Sequence, residues 1–599
     1  MGGVITATIL SGGTKMSTDY DLISMDIIKT VNKIPSAKLV LLDGDATKKK
    51  FEISDTGFFE PGKEIEVKLR YEGAQGKAGQ DATVFKGIAI RHGVRASTDS
   101  SFLTVELRDA AIKLTVSRKS AVFKDMKDDA IIKKLISDGG LTAGTIADTT
   151  CQHKEMIQYY CTDWDFLLSR ADVNGQIVVV DDGKVNSMSP EASGQPTTTF
   201  EYGVSEIGEF EMEADIHNQV KAVESIWWDI AEQKIADPKE AASVSLIQGN
   251  LDGGKMAGTI AALKDTLVHP VDANPDEMKA WADAGMVKSR ASLLRGRIKI
   301  PGDASFKPGD VIEIKGIGEC FNGKTLVTGV RHQVGTSGWQ TDIQFGVSAD
   351  WFSQNNNIID PPSAGLLPAI NGLHIGVVDT FEKDPDDKLR VKVKVPAINT
   401  AENAVWARLA TPDGGNARGI FFRPEPGDEV VLGFFNDDPR QPVILGSLFS
   451  QKNVLPTGFE ITEDNFLKGL LTKESLKLLF DDENKIIEIQ TPAGSLLRIS
   501  DKDKGIHLED ENGNKVTTDD KGINTEDKNG NKVVNDDKGI TLEDKNGNKV
   551  LMSSSGISLQ DKNGNKITGD STGITLQAGQ NINIKGANIK IEGSQVDIN

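Results

Sequence analysis

The end of the chain carries a repeat that decides the fold: Gly505-Ile-His-Leu-Glu-Asp-Glu-Asn-Gly-Asn-Lys-Val-Thr-Thr-Asp-Asp-Lys521. The same 17-residue unit restarts at Gly522, Gly539 and Gly556, and its opening Gly-Ile returns at Gly573. Apolar and polar residues alternate within a unit, which is typical of a half-buried strand. The Asn-Gly pair is a strong signal for a tight turn because both residues tolerate positive φ. Each unit therefore predicts two short strands and a turn, and the regular repeat predicts an elongated stack.

The apolar content of one unit is too small for a single chain. Gly505–Lys521 contains three large apolar residues, Ile506, Leu508 and Val516, whose full burial contributes roughly 1.5–3 kcal/mol each. Ordering the backbone costs roughly 1–2 kcal/mol per residue. Three chains wound around one axis would bury these side chains and pair every strand edge. We therefore predict an intertwined, triple-stranded β-helix, a homotrimer with ladder hydrogen bonds between chains.

The composition and final residues of this segment agree with a thin trimeric needle. Residues 501–599 contain no Phe, Trp, Tyr, Pro or Cys, so rings need no space inside and no proline interrupts a ladder. The period then shortens to seven residues in Asn581–Ile584, Asn588–Ile591 and Gln595–Ile598. The alternative interpretation is a disordered, hydrophilic tail, which the strict register and the alternation disfavour.

Two patterns resemble metal sites. Asp527-Lys-Asn-Gly-Asn531 resembles the start of a calcium loop, but its Gly falls at position 4 instead of 6, so turn chemistry is the preferred interpretation. Cys151, His153 and Cys161 could be zinc ligands, but a structural site needs four. We predict no metal and no cofactor.

Bulk properties exclude several classes of function. The net charge of −20 would give −60 (three times −20) in a trimer, which disfavours nucleic acid and anionic membrane surfaces as partners. Three cysteines are too few to stabilise the fold through disulfide bonds, and an odd, low number fits a reducing compartment. The sequence contains no apolar run of about 18 residues and no basic residue before Val4–Leu10, so neither a membrane span nor a secretory signal is predicted.

The rest of the chain predicts a mainly β, multidomain protein. Residues 1–17 are interpreted as a leader and 18–354 as a hub of two barrel-like bodies with an α/β insert. Residues 355–368 are rich in Asn and Pro and predict a linker. Six short strands in 369–450 predict a barrel of the oligonucleotide/oligosaccharide-binding (OB) type. Residues 451–500 form a neck that leads into the spike, 501–599.

Four stretches resemble VgrG spike proteins. Trp406–Ala410 and the long run Phe422–Phe449 (FRPEPGDEVVLGFFNDDPRQPVILGSLF) resemble the small barrel of that family. Asp163–Arg170, together with Phe306–Asp310, resembles its hub. The chain departs from the family where Leu389–Val395 replaces the usual aromatic stretch before the barrel, which leaves the kind of machine open.

The resemblance implies the homotrimeric central spike of a contractile injection machine, such as a type VI secretion system, a contractile phage tail or an extracellular phage-tail-like particle. It implies a hub that docks on a hexameric tube among baseplate proteins, a needle that pierces the target membrane without binding it, and possible effector cargo. A small PAAR-repeat protein commonly caps the tip. Assembly in the bacterial cytoplasm and release with the particle follow from the same resemblance.

The tip hypothesis is that the last five residues form the platform for the tip protein: Gln595, Val596, Asp597, Ile598 and Asn599. No catalytic motif of the nucleophile-elbow, phosphate-loop or His-Glu-x-x-His kind is present, so we predict no enzymatic activity. The acidic groups Asp384/Asp386/Asp387 and Asp437/Asp438 are interpreted as solvated loop residues and not as an acid/base pair. Two alternatives remain open: a β-helical tailspike that degrades glycans, and a trimeric adhesin.

Overall fold

The computed structural model describes residues 4–72, 79–257, 259, 264–355, 358, 362–398 and 404–598. The chain forms two compact units, Met1–Pro361 and Pro362–Asn599. Their boundary falls inside the predicted linker, 355–368, part of which lies outside the described residues. Within the described ranges, no helix combines the length and the apolar character needed to cross a lipid bilayer.

The first unit is mainly antiparallel β with short helices. Its strands are β1 Ile5–Ser11, β2 Thr14–Lys15, β3 Leu22–Thr30, β4 Ser36–Leu42, β5 Glu64–Tyr71, β6 Ala82–Ala96, β7 Ser101–Arg108, β8 Arg118–Lys127, β9 Thr142–Ile146, β10 Gln152–Thr162, β11 Ile177–Asp181, β12 Lys184–Met188, β13 Thr198–Glu201, β14 Glu209–Ala214, β15 Ala222–Asp229, β16 Lys234–Ile235, β17 Lys239–Glu240, β18 Lys264–His269, β19 Leu294–Pro301, β20 Val311–Lys315, β21 Gly323–Gly335 and β22 Gly338–Phe345. Its helices are α1 Glu52–Asp55, α2 Asp128–Asp138, α3 Asp163–Val173, α4 Gly253–Met256 and α5 Pro275–Ala291.

One 13-stranded sheet runs through this unit, in the order β14-β19-β22-β21-β3-β4-β7-β6-β5-β1-β2, with β13 and β20 attached beside β21. Its two halves enclose separate apolar cores, one around Leu39, Phe85 and Leu103 and one around Ile298 and Ile343. A third core belongs to the α/β insert, in which α2 and α3 pack on strands β8 to β12.

One sequence prediction for this unit was wrong. The segment predicted as a leader, 1–17, contains β1, which pairs along its whole length with β5 and buries Ile9. Its β-branched residues, Ile5, Thr6, Thr8 and Ile9, favour a strand over a loose chain. Helix α3 begins at Asp163, because Thr162 accepts a hydrogen bond from Asp165 N–H and caps the helix.

The second unit begins with the predicted barrel. Its strands are β23 His374–Val378, β24 Val391–Lys394, β25 Ala404–Leu409, β26 Gly414–Gly415, β27 Arg418–Gly419, β28 Glu429–Phe434 and β29 Pro442–Ser447. Five of them close in the order β23-β24-β25-β29-β28. Small and branched side chains such as Val393, Val430 and Leu432 fill the interior, so the OB-like barrel that the sequence predicts is confirmed.

A second 13-stranded sheet, here called the spike sheet, follows the barrel. Its strands are β30 Leu467–Leu471, β31 Lys477–Asp481, β32 Ile486–Gln490, β33 Leu496–Ser500, β34 Gly505–Glu509, β35 Lys515–Asp519, β36 Gly522–Glu526, β37 Lys532–Asp536, β38 Gly539–Glu543, β39 Lys549–Ser553, β40 Gly556–Gln560, β41 Lys566–Asp570 and β42 Gly573–Gln577. Each strand pairs antiparallel with its neighbour in sequence. Neck and spike therefore form one continuous sheet.

The two strands and one turn predicted for each repeat are confirmed, but their pairing differs from the expectation. From Leu467 to Gln577 the ladder hydrogen bonds are made within one chain, whereas ladders between chains were expected. The cause is local: each Asn-Gly or Asp-Lys turn returns the chain directly beside the strand it has just left. In a single chain the strands of this sheet are paired, but its apolar face stays uncovered.

Candidate assembly surface

Most of the large apolar side chains of the spike sheet lie on one face, here called the spike face. In each five-residue strand the second and fourth residues point to this face and the other three point away. Pairs such as Leu508/Val516 and Val533/Leu542 lie directly opposite each other. The members of the repeat region are Ile506, Leu508, Val516, Ile523, Val533, Ile540, Leu542, Val550, Met552, Ile557, Leu559, Ile567, Ile574 and Leu576.

The spike face remains substantially exposed in one chain. Leu542 is 41% exposed and Leu559 is 44% exposed. The opposite face carries cross-strand ion pairs instead, with Glu509–Lys515 at 3.3 Å and Glu543–Lys549 at 3.6 Å. A continuous exposed apolar face on an otherwise charged sheet indicates an interaction surface.

The turns of the spike sheet are held by an Asp bracket. Asp527 Oδ1 accepts hydrogen bonds from the backbone N–H groups of Asn529 (2.9 Å) and Asn531 (2.8 Å), and its Oδ2 accepts one from the Asn531 amide (2.6 Å). Asn531 Oδ1 then accepts a hydrogen bond from Lys545 N–H, one repeat later, at 3.0 Å. The carboxylates that resemble a calcium loop are thus engaged in turn hydrogen bonds, as predicted. The link to the next repeat was missed, although four equally spaced Asn residues signal it.

The Asp brackets predict how stability depends on acid. Hydrogen bonds from Asn531 lower the pKa of Asp527 to about 2, and hydrogen bonds from Asn548 do the same for Asp544. An unfolded Asp has a pKa of about 3.9, so the stabilisation is complete above that pH and is lost as the pH falls through about 2. We expect Asp527→Asn/Asp544→Asn to lower the unfolding temperature at pH 7 and to match the parent protein near pH 2. Asp537→Asn, at an exposed loop position, is the control; an equal deficit for the double variant at both pH values would contradict the prediction.

The glycine that opens each of the four complete repeats is required by close contact. At Gly539 the backbone has φ +131°, and a Cβ there would lie 1.9 Å from the Met552 carbonyl oxygen. Gly522 and Gly556 show the same approach to Asn535 and Gly569, at 2.0 Å. The constant Gly of the repeat is therefore a packing requirement of adjacent strands.

The predicted tip residues lie at the exposed end of the chain. Gln595, Val596, Asp597 and Ile598 are all exposed, and Gln595 Nε2 donates to the Asp597 carboxylate at 3.0 and 3.2 Å. Asn599 lies outside the described residues. The binding role of these five residues stays a prediction.

A buried ionic cluster, here called the Arg170 cluster, lies in the first unit. Arg170 donates to Asp128 through Nε (2.7 Å) and Nη2 (2.9 Å) and to Glu277 through Nη2 (2.7 Å). His153 Nε2 lies 3.2 Å from Asp128 Oδ2, and Cys151 Sγ lies 3.6 Å from His153 Nδ1. The cluster therefore joins α2, α3, α5 and β10.

The Arg170 cluster has the residue types of a catalytic or metal site but the wrong environment for either. Burial raises the pKa of the Cys151 thiol to about 12, which disfavours the nucleophilic thiolate. The Arg170 guanidinium occupies the carboxylates that would bind a cation, and Cys161 packs in the apolar core of the insert instead. Burial would raise the pKa of Asp128, but hydrogen bonds from His153 and Arg170 outweigh it and hold that pKa well below its usual range. The cluster therefore has a structural role: its buried ion pairs hold α2, α3 and α5 together.

Loss of the Asp128–Arg170 ion pair will destabilise the first unit. Asp128→Asn leaves the buried Arg170 with a weakened partner, and loss of one member of a buried ion pair costs about 3–5 kcal/mol. We expect the denaturant midpoint of the first unit, followed by Trp fluorescence, to fall accordingly. The control is Asp138→Asn, whose carboxylate is 52% exposed beside Lys134 and whose loss should cost under about 1 kcal/mol. Equal midpoints for both variants would contradict the structural role.

The acidic groups of the barrel lie in loops, but Asp384 is buried, whereas a solvated carboxylate was predicted. Asp384 accepts hydrogen bonds from the Arg390 guanidinium (2.7 and 2.9 Å) and from the backbone N–H of Lys388 (3.0 Å). Asp438 pairs with Arg440 at 2.7 Å. Both carboxylates stabilise loops between barrel strands.

Comparison with known proteins places the chain in a family. A family model described as the Alg8 N-terminal domain matches residues 1–336, more than half of the chain. The chain belongs to the Alg8 N-terminal domain family. The remainder of this Alg8-family chain matches the type VI secretion system/phage-baseplate injector OB domain over 374–449 and the phage baseplate V C-terminal trimerisation domain over 545–599.

Curated relatives of the Alg8-family chain are spike proteins. It is 29% identical over 103 residues to the type VI secretion system spike protein VgrG5 of Pseudomonas aeruginosa, covering 16% of this chain and 13% of that one. It is 34% identical over 71 residues to spike protein VgrG3 of Vibrio cholerae, covering 11% of this chain and 7% of that one. The resemblance to VgrG proteins is confirmed, and the alternative functions are not favoured. The chain matches a small part of the length of these relatives.

Solved structures similar to the Alg8-family chain include phage-type tail proteins. A tail protein from Neisseria meningitidis is 17% identical, covers 59% of this chain and 99% of its own, and gives a TM-score of 0.42. The 43 kDa tail protein of prophage MuSo2 from Shewanella oneidensis is 12% identical, with coverages of 58% and 99% and a TM-score of 0.41. A type VI secretion component of Escherichia coli is 12% identical, with coverages of 74% and 99% and a TM-score of 0.37.

Proposed function

We propose that this chain is the structural hub and spike of a contractile injection machine and that it acts as a homotrimer. The observation that carries the proposal is the spike face, an uncovered apolar face that continues into the segment matched by the trimerisation model, 545–599. Three copies related by a threefold axis would bury their spike faces against one another and keep the charged faces in water. The account requires no enzymatic step; the chain transmits force.

The same proposal assigns partners by position. The first unit would join the hexameric tube and the baseplate proteins, and the tip would carry a PAAR-repeat protein and possible effector cargo. Assembly would take place in the bacterial cytoplasm, with export as part of the particle. The OB-like injector domain and the VgrG-type relatives support this arrangement.

The tip assignment is tested by deleting residues 595–599 from the full chain. We expect the deletion to abolish capture of a co-expressed PAAR-repeat protein while the mass in solution stays that of a trimer. Lys585→Ser/Lys590→Ser, just before the tip, is the control that should retain capture. Undiminished capture by the deletion variant would refute the tip assignment.

A further inference from the structure

Repeats that are nearly identical create a problem for a trimer. On the spike face the second residue of each repeat is always Ile, and the twelfth is Val516, Val533, Val550 or Ile567. A chain displaced by one whole repeat, two strands or about 10 Å along the stack, would still place apolar residues against apolar residues. The constant positions therefore do not define which repeat lies beside which.

One position of the spike face is different in every repeat. The fourteenth residue is Thr518, Asn535, Met552 or Gly569. All four lie on the spike face, because each pairs directly with the repeated Ile: Thr518 with Ile506, for example, and Met552 with Ile540. A fifth exception, Thr525, stands where the other repeats have Leu. Here these five residues are called the register residues.

We propose that the register residues determine the axial alignment of the three chains. In a symmetric trimer each residue meets its own two copies at one height. Aligned chains place three Asn535 amides together, where each amide can donate to and accept from the next. A shift by one repeat places Asn535 against Met552, leaves the amide without a partner in an apolar environment, and places Met552 against Gly569.

The chemistry of the individual register residues agrees with this role. The Thr518 hydroxyl accepts a hydrogen bond from Ile506 N–H at 3.3 Å. It therefore has a partner within its own chain when other copies cover the spike face. Asn535 is exposed on the uncovered face, so its amide must find partners when other copies cover it. A single polar residue in an apolar interface is an established way of selecting one alignment. This inference rests on the proposed trimer.

The test removes the differences between repeats at the register residues and keeps the apolar spike face. In the full chain, Thr525→Leu and Ile567→Val, with Asn535→Thr, Met552→Thr and Gly569→Thr, make the four complete repeats equivalent on the spike face. The matched control, Asn535→Met/Met552→Asn, keeps the composition and keeps every repeat distinct. Each protein carries Cys161→Ser, Cys320→Ser and Lys562→Cys with a nitroxide label, is unfolded in denaturant and refolded, and is measured by light scattering and pulsed EPR.

Three equal labels in aligned chains give one distance distribution. We expect the parent protein and the exchange control to show one distribution, and the equivalent-repeat variant to show a second population shifted because one chain is displaced by about 10 Å. A trimer of the equivalent-repeat variant with one unshifted distribution, or its failure to form trimers, would overturn the inference. A parent protein that is a monomer would instead refute the proposed function.

Discussion

Leu542→Asp/Leu559→Asp will convert the protein from a trimer to a monomer. Both side chains lie on the spike face and are about two-fifths exposed in one chain. In the trimer their burial would contribute up to about 1.5–3 kcal/mol each, repeated in three chains. Their replacement would instead place six carboxylates in an apolar interface, where an unpaired charge is strongly unfavourable. The expected mass is 64.6 kDa in place of 193.8 kDa, three times 64.6.

The control for this variant changes the neighbouring residues on the opposite face. Thr541→Asp/Ser558→Asp adds the same charges one residue away, on the face that carries the Glu–Lys pairs. It should remain a trimer with an unfolding temperature close to that of the parent. A monomeric control, or a trimeric Leu542/Leu559 variant, would show that the spike face does not hold the chains together.

The second large effect is expected for Gly539→Ala. The new methyl group would lie 1.9 Å from the Met552 carbonyl oxygen, so β38 and β39 must separate. Positive φ alone costs about 1–3 kcal/mol for a residue with a side chain, and forced overpacking typically adds about 1–3 kcal/mol. We expect a marked fall in the unfolding temperature of the spike, measured by circular dichroism.

Gly573→Ala separates the two contributions to that effect. Gly573 has nearly the same backbone angle, φ +138°, but no atom lies within 4 Å of the position of its Cβ. It should show only the cost of positive φ. If Gly539→Ala and Gly573→Ala lower the unfolding temperature equally, close strand contact is not the reason for the constant glycine.

Some parts of this structure could be predicted from sequence because their causes are local. The alternation around Ile540 and Leu542, together with the Asn546-Gly547 turn, was sufficient to predict strands, turn and apolar face. The prediction that ladders form between chains is incorrect. Alternation of apolar and polar residues shows on which face of the sheet a side chain lies, but not which strand lies beside it. The short turns, which place each strand beside its predecessor, are the signal that decides in favour of pairing within the chain.

The Arg170 cluster could not be predicted from the sequence, because its causes are not local. Asp128, His153, Arg170 and Glu277 are separated by up to 149 residues (277 minus 128) and meet because four elements converge. No spacing in the sequence indicates this. The start of α3, in contrast, was available from Thr162 and Asp165, a cap residue followed three positions later by an acid.

The mass of the full-length protein in solution, measured by light scattering on the eluate of a sizing column, tests the central claim most directly. A trimer that covers its own spike faces predicts 193.8 kDa, three times the 64.6 kDa of one chain. A folded, monodisperse species of 64.6 kDa would contradict it.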